Sequence, residues 1–444
     1  NELTDEAFGE WRLQGELETD LSLQLNLNDV GAAPQVNLQA RPRDAELLIL
    51  PGDLQVHGIN GQLEYSSERG FSSSALVGEL WGQPMQVGVA QLHRGEAYDP
   101  ATSSLQVSTE LDVAMTDLQQ WLAHLPLDFM QGRTRAAVSI EAPPGQGPVV
   151  RVRSDLRGVT LDLPQPFAGG PGGRRPLSLE VGLGREQMTV QLDLEQRLRL
   201  DLNLVGGDLH SGALGFSRRP APLRSGQLRI GGHLPLADFG EWQSFLRQTF
   251  SLELGALVGE ATGTAVAEQL EGGAEVAGTA WPEVHIEQLQ VDSLDLWGMH
   301  LRDLVFSLAP RGKDWKLAAE LDWLRGELTL AGGTEVSRLE LDYLDLDRLQ
   351  WPADEEGAAE QGESGDSGAP DLPDFDVVAR GLYRNGRPLG ELAFALRSQA
   401  QGLRAGGITG NIAGLELWDA DDNELSWGGS GQGQTSLRAQ LHFG

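Results

Sequence analysis

The stretch Leu192-Asp-Leu-Glu-Gln-Arg-Leu-Arg-Leu-Asp-Leu-Asn-Leu204 decides the fold class. Leu192, Leu194, Leu198, Leu200, Leu202 and Leu204 take one side of it, and Asp193, Glu195, Arg197, Arg199, Asp201 and Asn203 the other. A period of two is the mark of a β-strand with one apolar and one charged face. Read as a single strand, these residues at about 3.3 Å each span roughly 43 Å, more than twice the usual strand length.

Shorter versions recur at Leu21, Leu23, Leu25 and Leu27, at Met85, Val87 and Val89, at Leu105, Val107, Leu111 and Val113, and at Val159, Leu161 and Leu163. Turn signals are His57-Gly58, Ile59-Asn60-Gly61, Arg69-Gly70, Arg311-Gly312 and Asn385-Gly386. Glycine is about 13% of the chain against a usual 7%, while proline is ordinary, which indicates many turns rather than collagen. The expected fold is mainly all-β. Long antiparallel strands form an elongated, twisted, curled sheet, an open hydrophobic groove of repeated β modules with a few short helices.

Two segments carry helical spacing instead. In TDLQQWLAHL, Leu118, Trp121, Leu122 and Leu125 share a face, with Thr116 or Asp117 as the expected N-cap. In ADFGEWQSFL, Phe239, Trp242, Leu246 and Phe250 do so behind Asp238. LDLDRLQW is a weaker third copy with Asp347 in the cap position. Trp121 and Trp242 are expected as core anchors. Trp81, Trp315, Trp418 and Trp427 lie near turns and are expected to cap strands.

Each helical segment follows a block of strands, so the chain reads as successive modules. Residues 1–130 and 131–250 form two, each ending in a short helix; 251–351 form a third. Residues 352–371 are an acidic disordered loop, and 372–444 a partial, truncated module. The acidic composition runs on from Pro352 to Asp376, without Lys or Arg, and such a stretch cannot bury enough apolar surface to order itself. Its oxygens lack EF-hand spacing. Pro164–Pro176, PQPFAGGPGGRRP, reads as a turn or exposed excursion.

With 33 basic and 65 acidic side chains the formal charge is −32, which excludes a nucleic-acid binder, since phosphate neutralisation needs clustered Lys and Arg. It also argues against attachment to anionic lipid by a basic surface. There is no Cys, hence no disulfide, thiolate site or cysteine nucleophile. No run of apolar residues is long enough for a membrane-spanning helix, and no signal peptide is visible, which together suggest a piece of something longer.

The eight histidines stand at 57, 93, 124, 210, 233, 285, 300 and 442, with no pair at metal-ligand spacing and no HExxH. Nucleophile-elbow, Walker A and dinucleotide motifs are missing. Carboxylate pairs such as Asp421 and Asp422 read as solvated surface. Nothing nominates an enzyme, and no metal or cofactor is expected.

Long two-faced strands pose a problem of area. Each apolar face must be covered by another sheet, by helices, by barrel closure or by something outside the chain. Two or three short helices are too few. Either two sheets pack together, or one curls into a trough filled by a ligand with long apolar chains, with the charge on its convex side. Periodicity leaves both open.

Several segments resemble the YhdP family of AsmA-like proteins, relatives of the bridge-like lipid transfer proteins. The most telling is VRVRSDLRGVTLDLPQPF, Val150–Phe167. Others are LVGELWGQPMQV around Trp81, LRIGGHLPLADFGEWQSFL from Leu228 and FSLAPRGKDWKLAAELDWLRGELTL from Phe306. The last are DLPDFDVVARGLYRNGRPLGELAFAL and GQTSLRAQLHF. They keep the family's order from about residue 50 onward.

The resemblance implies a periplasmic protein, anchored in the inner membrane by an N-terminal helix outside this chain. Its β modules would form a groove carrying phospholipid acyl chains toward the outer membrane, with no catalytic residues. Relative to the complete family pattern, the anchor, the initial modules and a C-terminal section are expected to be missing here. Partners would be phospholipid acyl chains and, at the ends of the full-length protein, inner- and outer-membrane lipids or proteins. Expected groove-lining residues are Leu192, Leu194, Leu198, Leu200, Leu202, Leu204, Val159, Leu161 and Leu163. With them come Leu21, Leu23, Leu25, Leu27, Met85, Val87, Val89, Val107, Leu111 and Val113. The alternatives are a structural or adhesive β-rich envelope protein without lipid, and a hydrolase of envelope polymers.

Overall fold

A computed structural model describes residues 12–25, 34–49, 54–93, 98–121, 127–184, 186–250, 282–296, 299–332, 336–348, 374–399, 402–417, 424–428, 435–438 and 441–442. Strand makes up 70% of the structure and helix 7%, so the fold class is the expected one, an open curled β-sheet with two short helices among the described residues. The chain divides into two compact units, Asn1–Leu228 and Arg229–Gly444.

Unit 1 begins with the meander β1 (Arg12–Gln24), β2 (Gln35–Ile49), β3 (Leu54–Ser66), β4 (Gly70–Leu80), β5 (Gln83–Leu92) and β6 (Ser104–Ala114). After α1 (Met115–Trp121) it continues through β7 (Met130–Ala142) and β8 (Val149–Ser154). The short β9 (Val159–Leu161) leaves the main sheet and pairs with the start of β7. The sheet resumes with β10 (Leu177–Leu183), β11 (Gln187–Leu194), β12 (Leu198–Val205) and β13 (Asp208–Phe216). Neighbours are antiparallel, β8 pairing with β10 across the excursion that contains β9.

Strand β14 (Gln227–Leu234) straddles the division. Unit 2 follows with β15 (Ala237–Asp238), α2 (Phe239–Phe250), β16 (Glu283–Leu296), β17 (Met299–Arg311), β18 (Asp314–Glu320), β19 (Leu324–Leu330) and β20 (Ser337–Asp345). A 3-10 turn, Leu346–Arg348, precedes β21 (Phe375–Arg384), β22 (Arg387–Gln399) and β23 (Gly402–Ile412). The last strands are β24 (Leu415–Leu417), β25 (Glu424–Gly428), β26 (Thr435–Arg438) and β27 (Leu441–His442). β15 meets β16 and β20 meets β21 in parallel, each time across a helical segment.

Long strands exist, 13 to 15 residues at β1, β2, β3, β7, β16, β17 and β22. The Leu192–Leu204 stretch is not one of them. It is a hairpin of two eight-residue strands, turning at Glu195 and Gln196 with φ of 56° and 60°. Asp193 Oδ1 accepts from the Gln196 amide at 2.7 Å, and the Arg197 amide donates back to the Leu194 carbonyl at 3.0 Å. Three residues, Glu195 to Arg197, link Leu194 to its partner Leu198, so the two stay on one face and the alternation survives the turn.

Asn385-Gly386 is a two-residue turn with both φ positive, and Arg69-Gly70 and Arg311-Gly312 also lie at hairpin turns. His57-Gly58 and Ile59-Asn60-Gly61 sit inside β3 and form bulges against β4 instead. Gly61 has φ +132°, and a Cβ there would come within 2.5 Å of the Ala75 carbonyl oxygen, so only glycine fits.

Helix α1 starts directly after β6, which puts Thr116 and Asp117 inside its first turn rather than at the cap. Leu122 and Leu125 lie outside the described residues. Trp121 is 37% exposed with its ring 5.9 Å from that of Trp81, so it is no core anchor. Asp238 caps α2 as expected, accepting from the Glu241 amide at 2.8 Å. At the third copy the acceptor is Asp345, not Asp347. Residues 349–373 and Trp418 lie outside the described residues, but Phe375 and Asp376 belong to β21, because they pair with Ser337 and Arg338. No helix among the described residues is long and apolar enough to cross a membrane.

Burial pushes the Tyr98 phenol, hydrogen-bonded to Tyr65, up to about 12. The neutral phenol is thus the form the fold favours. Its contribution to stability is complete below about pH 10 and is lost as pH rises through about 12. Urea midpoints from pH 9 to 12 are expected to fall more steeply in the wild-type chain than in Tyr98→Phe; parallel curves refute the assignment.

Candidate functional site

The registers of unit 1 line up apolar side chains across strands into rungs. One runs Val87–Thr109–Val138–Val152–Leu179–Leu192–Leu200–Leu214 from β5 to β13. The next runs Val89–Val107–Ile140–Val150–Val181–Val190–Leu202–Gly212. A third, on the other side of the first, is Leu111–Ala136–Ser154–Leu177–Leu194–Leu198–Phe216. Eight strands at about 4.8 Å make a rung roughly 34 Å long, and rungs lie about 6.6 Å apart.

The third rung is closed. Residues 155–176, leaving β8 and returning at β10, fold over it as a strap, and α1 covers its β6 end. Leu111, Val113, Ala136 and Leu194 from the sheet form one buried cluster with Met85, Met115, Leu156, Val159 and Leu161. The Pro164–Pro176 segment is therefore not simply exposed. Phe167 is only 2% exposed and stacks on Phe216 with centroids 5.7 Å apart. Its backbone closes on β9 through Leu161–Gly169 hydrogen bonds of 2.8 and 3.0 Å. Arg175, also buried, holds the strap to the β11–β12 turn by a fork onto Glu195 at 2.9 and 3.4 Å.

The expected lining residues consequently separate. Met85, Leu111, Val113 and Leu194 are sheet residues under cover, and Val87, Leu192 and Leu198 pack against that buried cluster. Val159 and Leu161 are fully buried parts of the cover itself, and Leu163 packs beside them, so none of the three belongs to the main sheet. Val89, Val107, Leu200, Leu202 and Leu204 are half-buried on the uncovered rungs. Leu21, Leu23 and Leu25 are 68%, 55% and 61% exposed on and just after β1. Leu27 lies outside the described residues.

The opposite face is polar and laced by cross-strand ion pairs, among them Arg135–Glu110 at 2.6 Å, Arg199–Asp193 at 2.8 Å and Arg151 between Glu141 and Glu180 at 2.7 and 2.8 Å. The hydrogen bonds that Arg151 donates to Glu141 and Glu180 hold its pKa above its ordinary value. Burial raises that of Asp201. The charged side is not uniformly convex: a shallow concavity of about 970 Å³ lies on it, between Gln86, Ser108, Glu110, Arg135 and Arg151. No group of three or more His, Asp or Glu among the described residues could hold a metal ion.

Unit 2 carries a comparable face that the sequence reading did not assign. Leu308–Leu317–Leu328–Leu339–Val377–Phe394 form one rung from β17 to β22, and Ala319–Gly326–Leu341–Ala379–Leu392–Gly410 the next. Leu341, Leu344, Ala379 and Leu382 are its buried core, with Trp323, Leu339 and Leu392 packed on it. The signal was present as alternation at Phe306 and Leu308, Leu317 and Ala319, and Leu328 and Leu330.

No curated protein and no solved structure matches the chain. A family model does, over residues 1–442, which extends the resemblance seen from about residue 50 back to the first residue. Family membership of this kind suggests AsmA-like lipid transport. With strands that keep one apolar face in register over many neighbours, and with the family model matching residues 1–442, the chain belongs to the YhdP family.

Proposed function

We propose that this chain is a segment of a hydrophobic groove that carries phospholipids between the inner and outer membranes. It would contribute to outer-membrane lipid homeostasis and the permeability barrier. The observation that supports this is the rung from Val89 to Leu202, left half-open while the third rung is sealed, with the rung through Leu200 between them leaning on the sealed cluster at Val87, Val138, Val152 and Leu192. A protein with a closed sandwich core would seal all of them. The uncovered rungs, with the exposed leucines of β1, are the lining; the strap and α1 form one wall.

The mechanism is one-dimensional diffusion. Each methylene laid on the rungs contributes about 0.8 kcal/mol. Strand after strand offers nearly the same surface, so a step along a rung exchanges like for like, and lipid is held without being trapped. The chemistry is non-covalent and needs no cofactor. The modules, each ending at a helical segment, repeat this lining in a periplasmic part of an inner-membrane-anchored protein, with membrane lipids or proteins as partners at its ends.

Native mass spectrometry of the purified chain tests the reading. Phospholipid is expected to remain bound and to be displaced by excess detergent. A reproducibly lipid-free protein would favour the structural or adhesive alternative instead.

A further inference from the structure

In a chain with a charge of −32, one edge of the unit 1 sheet is basic. The arginines can be followed residue by residue along the sealed rung. The Arg133 amide donates to the Gly158 carbonyl at 3.2 Å, which places it beside Arg157. Arg157 and Arg174 share Asp155 at 3.5 and 3.9 Å. Arg175 is forked onto Glu195, and Arg197 lies 3.6 Å from the same carboxylate and 5.8 Å from the Phe167 ring centre. The Arg197 carbonyl accepts from Ser217, two residues before the exposed Arg219.

Four arginines, Arg157, Arg174, Arg175 and Arg197, thus share Asp155 and Glu195 along one lip, with Arg133 and Arg219 close by in the backbone. Among the described residues, the exposed guanidiniums of Arg157 and Arg174 are held only by long contacts to Asp155. Arg175 Nη1 is buried with no hydrogen-bond partner among the described residues. Arg175 is enclosed, so it anchors the strap, while the exposed guanidiniums of Arg157 and Arg174 are open to an anion with several acceptor oxygens.

The lip borders the sealed rung, and the uncovered rungs begin one rung further along the strands. Arg197 is three residues from Leu200 along the chain, about 10 Å at strand rise. A molecule with apolar chains and one phosphate between them and the solvent spans that distance.

We infer that this arginine lip binds the phosphate of the lipid whose chains lie on the uncovered rungs, an inference that rests on the groove reading. The apolar face then sets where the chains go, and the lip sets on which side the head group emerges. Acidic residues elsewhere on the chain repel the same phosphate, so lipid would travel with one orientation.

Titration calorimetry of the whole chain with dioctanoyl phosphatidylglycerol, dioctanoylglycerol and inorganic phosphate tests this. The wild-type chain is expected to bind the phospholipid about tenfold more tightly than the phosphate-free diacylglycerol. The double variant Arg174→Gln with Arg219→Gln should erase that preference and leave diacylglycerol affinity unchanged. Arg41→Gln with Arg43→Gln, the same charge loss on β2, should keep it. Equal affinity for the two lipids, or a preference that survives the lip variant, overturns the lip while the groove stands. Arginine-dependent binding of inorganic phosphate without any lipid preference also overturns it, as a site for the free ion. Binding of neither lipid overturns the groove reading itself.

Discussion

Leu200→Asp is expected to empty the groove of lipid and leave the protein folded. Leu200 is the seventh of the eight residues of its rung, opposite Leu192 on one side and Leu214 on the other. It is half-buried, so a carboxylate there keeps much of its hydration in the lipid-free chain. The loss of cross-strand apolar contact costs about 1 kcal/mol or less. An acyl chain laid across the rung would strip that hydration, and burying an unpaired carboxylate costs several kcal/mol. That exceeds what a few methylenes contribute. Leu198→Asp is the informative contrast, because Leu198 packs on the buried cluster, and the same charge there should unfold the strap region. Lipid extraction with a thermal melt distinguishes the two. A Leu200→Asp chain that melts normally and retains wild-type lipid removes this rung from the path.

Phe167→Ala should lower the stability of unit 1 by about 3–5 kcal/mol, as expected for an aromatic side chain removed from a closed core. Among the described residues, Phe167 and Val159 are the largest fully buried side chains. It joins the strap to β13 through Phe216 and lies under the guanidinium of Arg197. Its loss leaves a cavity between strap and sheet that rigid strands cannot close. Urea unfolding followed by tryptophan fluorescence measures the change, and limited proteolysis between Asp155 and Pro176 should accelerate with it. A loss below about 1 kcal/mol would mean that the strap is held by its backbone bonds and the Arg175–Glu195 pair alone.

The strand character of this chain was legible because alternation is a local property. Leu198, Leu200, Leu202 and Leu204 share a face whatever their neighbours do, since the pleat alone puts every second side chain on one side. The hairpin at Glu195 and Gln196 was not legible, as neither is a residue that favours positive φ. That turn is held from elsewhere, by Arg175 on the Glu195 carboxylate and by the Pro176 carbonyl on its amide at 2.8 Å. Gly58 and Gly61 were legible as special and misread as turns, because a bulge and a turn ask the same freedom of glycine. In Pro164–Pro176 the proline and glycine content indicated exposure, and one phenylalanine among them decided burial for part of the segment.

From the sequence alone follow the β class, the two-faced strands, the cap at Asp238 and the order of segments that carries the family resemblance. The family model bears out that resemblance over residues 1–442. Only the tertiary structure decided which part of the apolar face is open. Rungs exist because the register of β5 through β13 keeps like beside like, and register is set between strands, not within them. The sealed rung exists because residues 155–176 return to cover Leu111, Leu194 and Phe216, which stand far from them in the chain. Pleat and side-chain alternation act over two residues and are written in the sequence. Cover and exposure depend on contacts between distant segments, which periodicity does not carry.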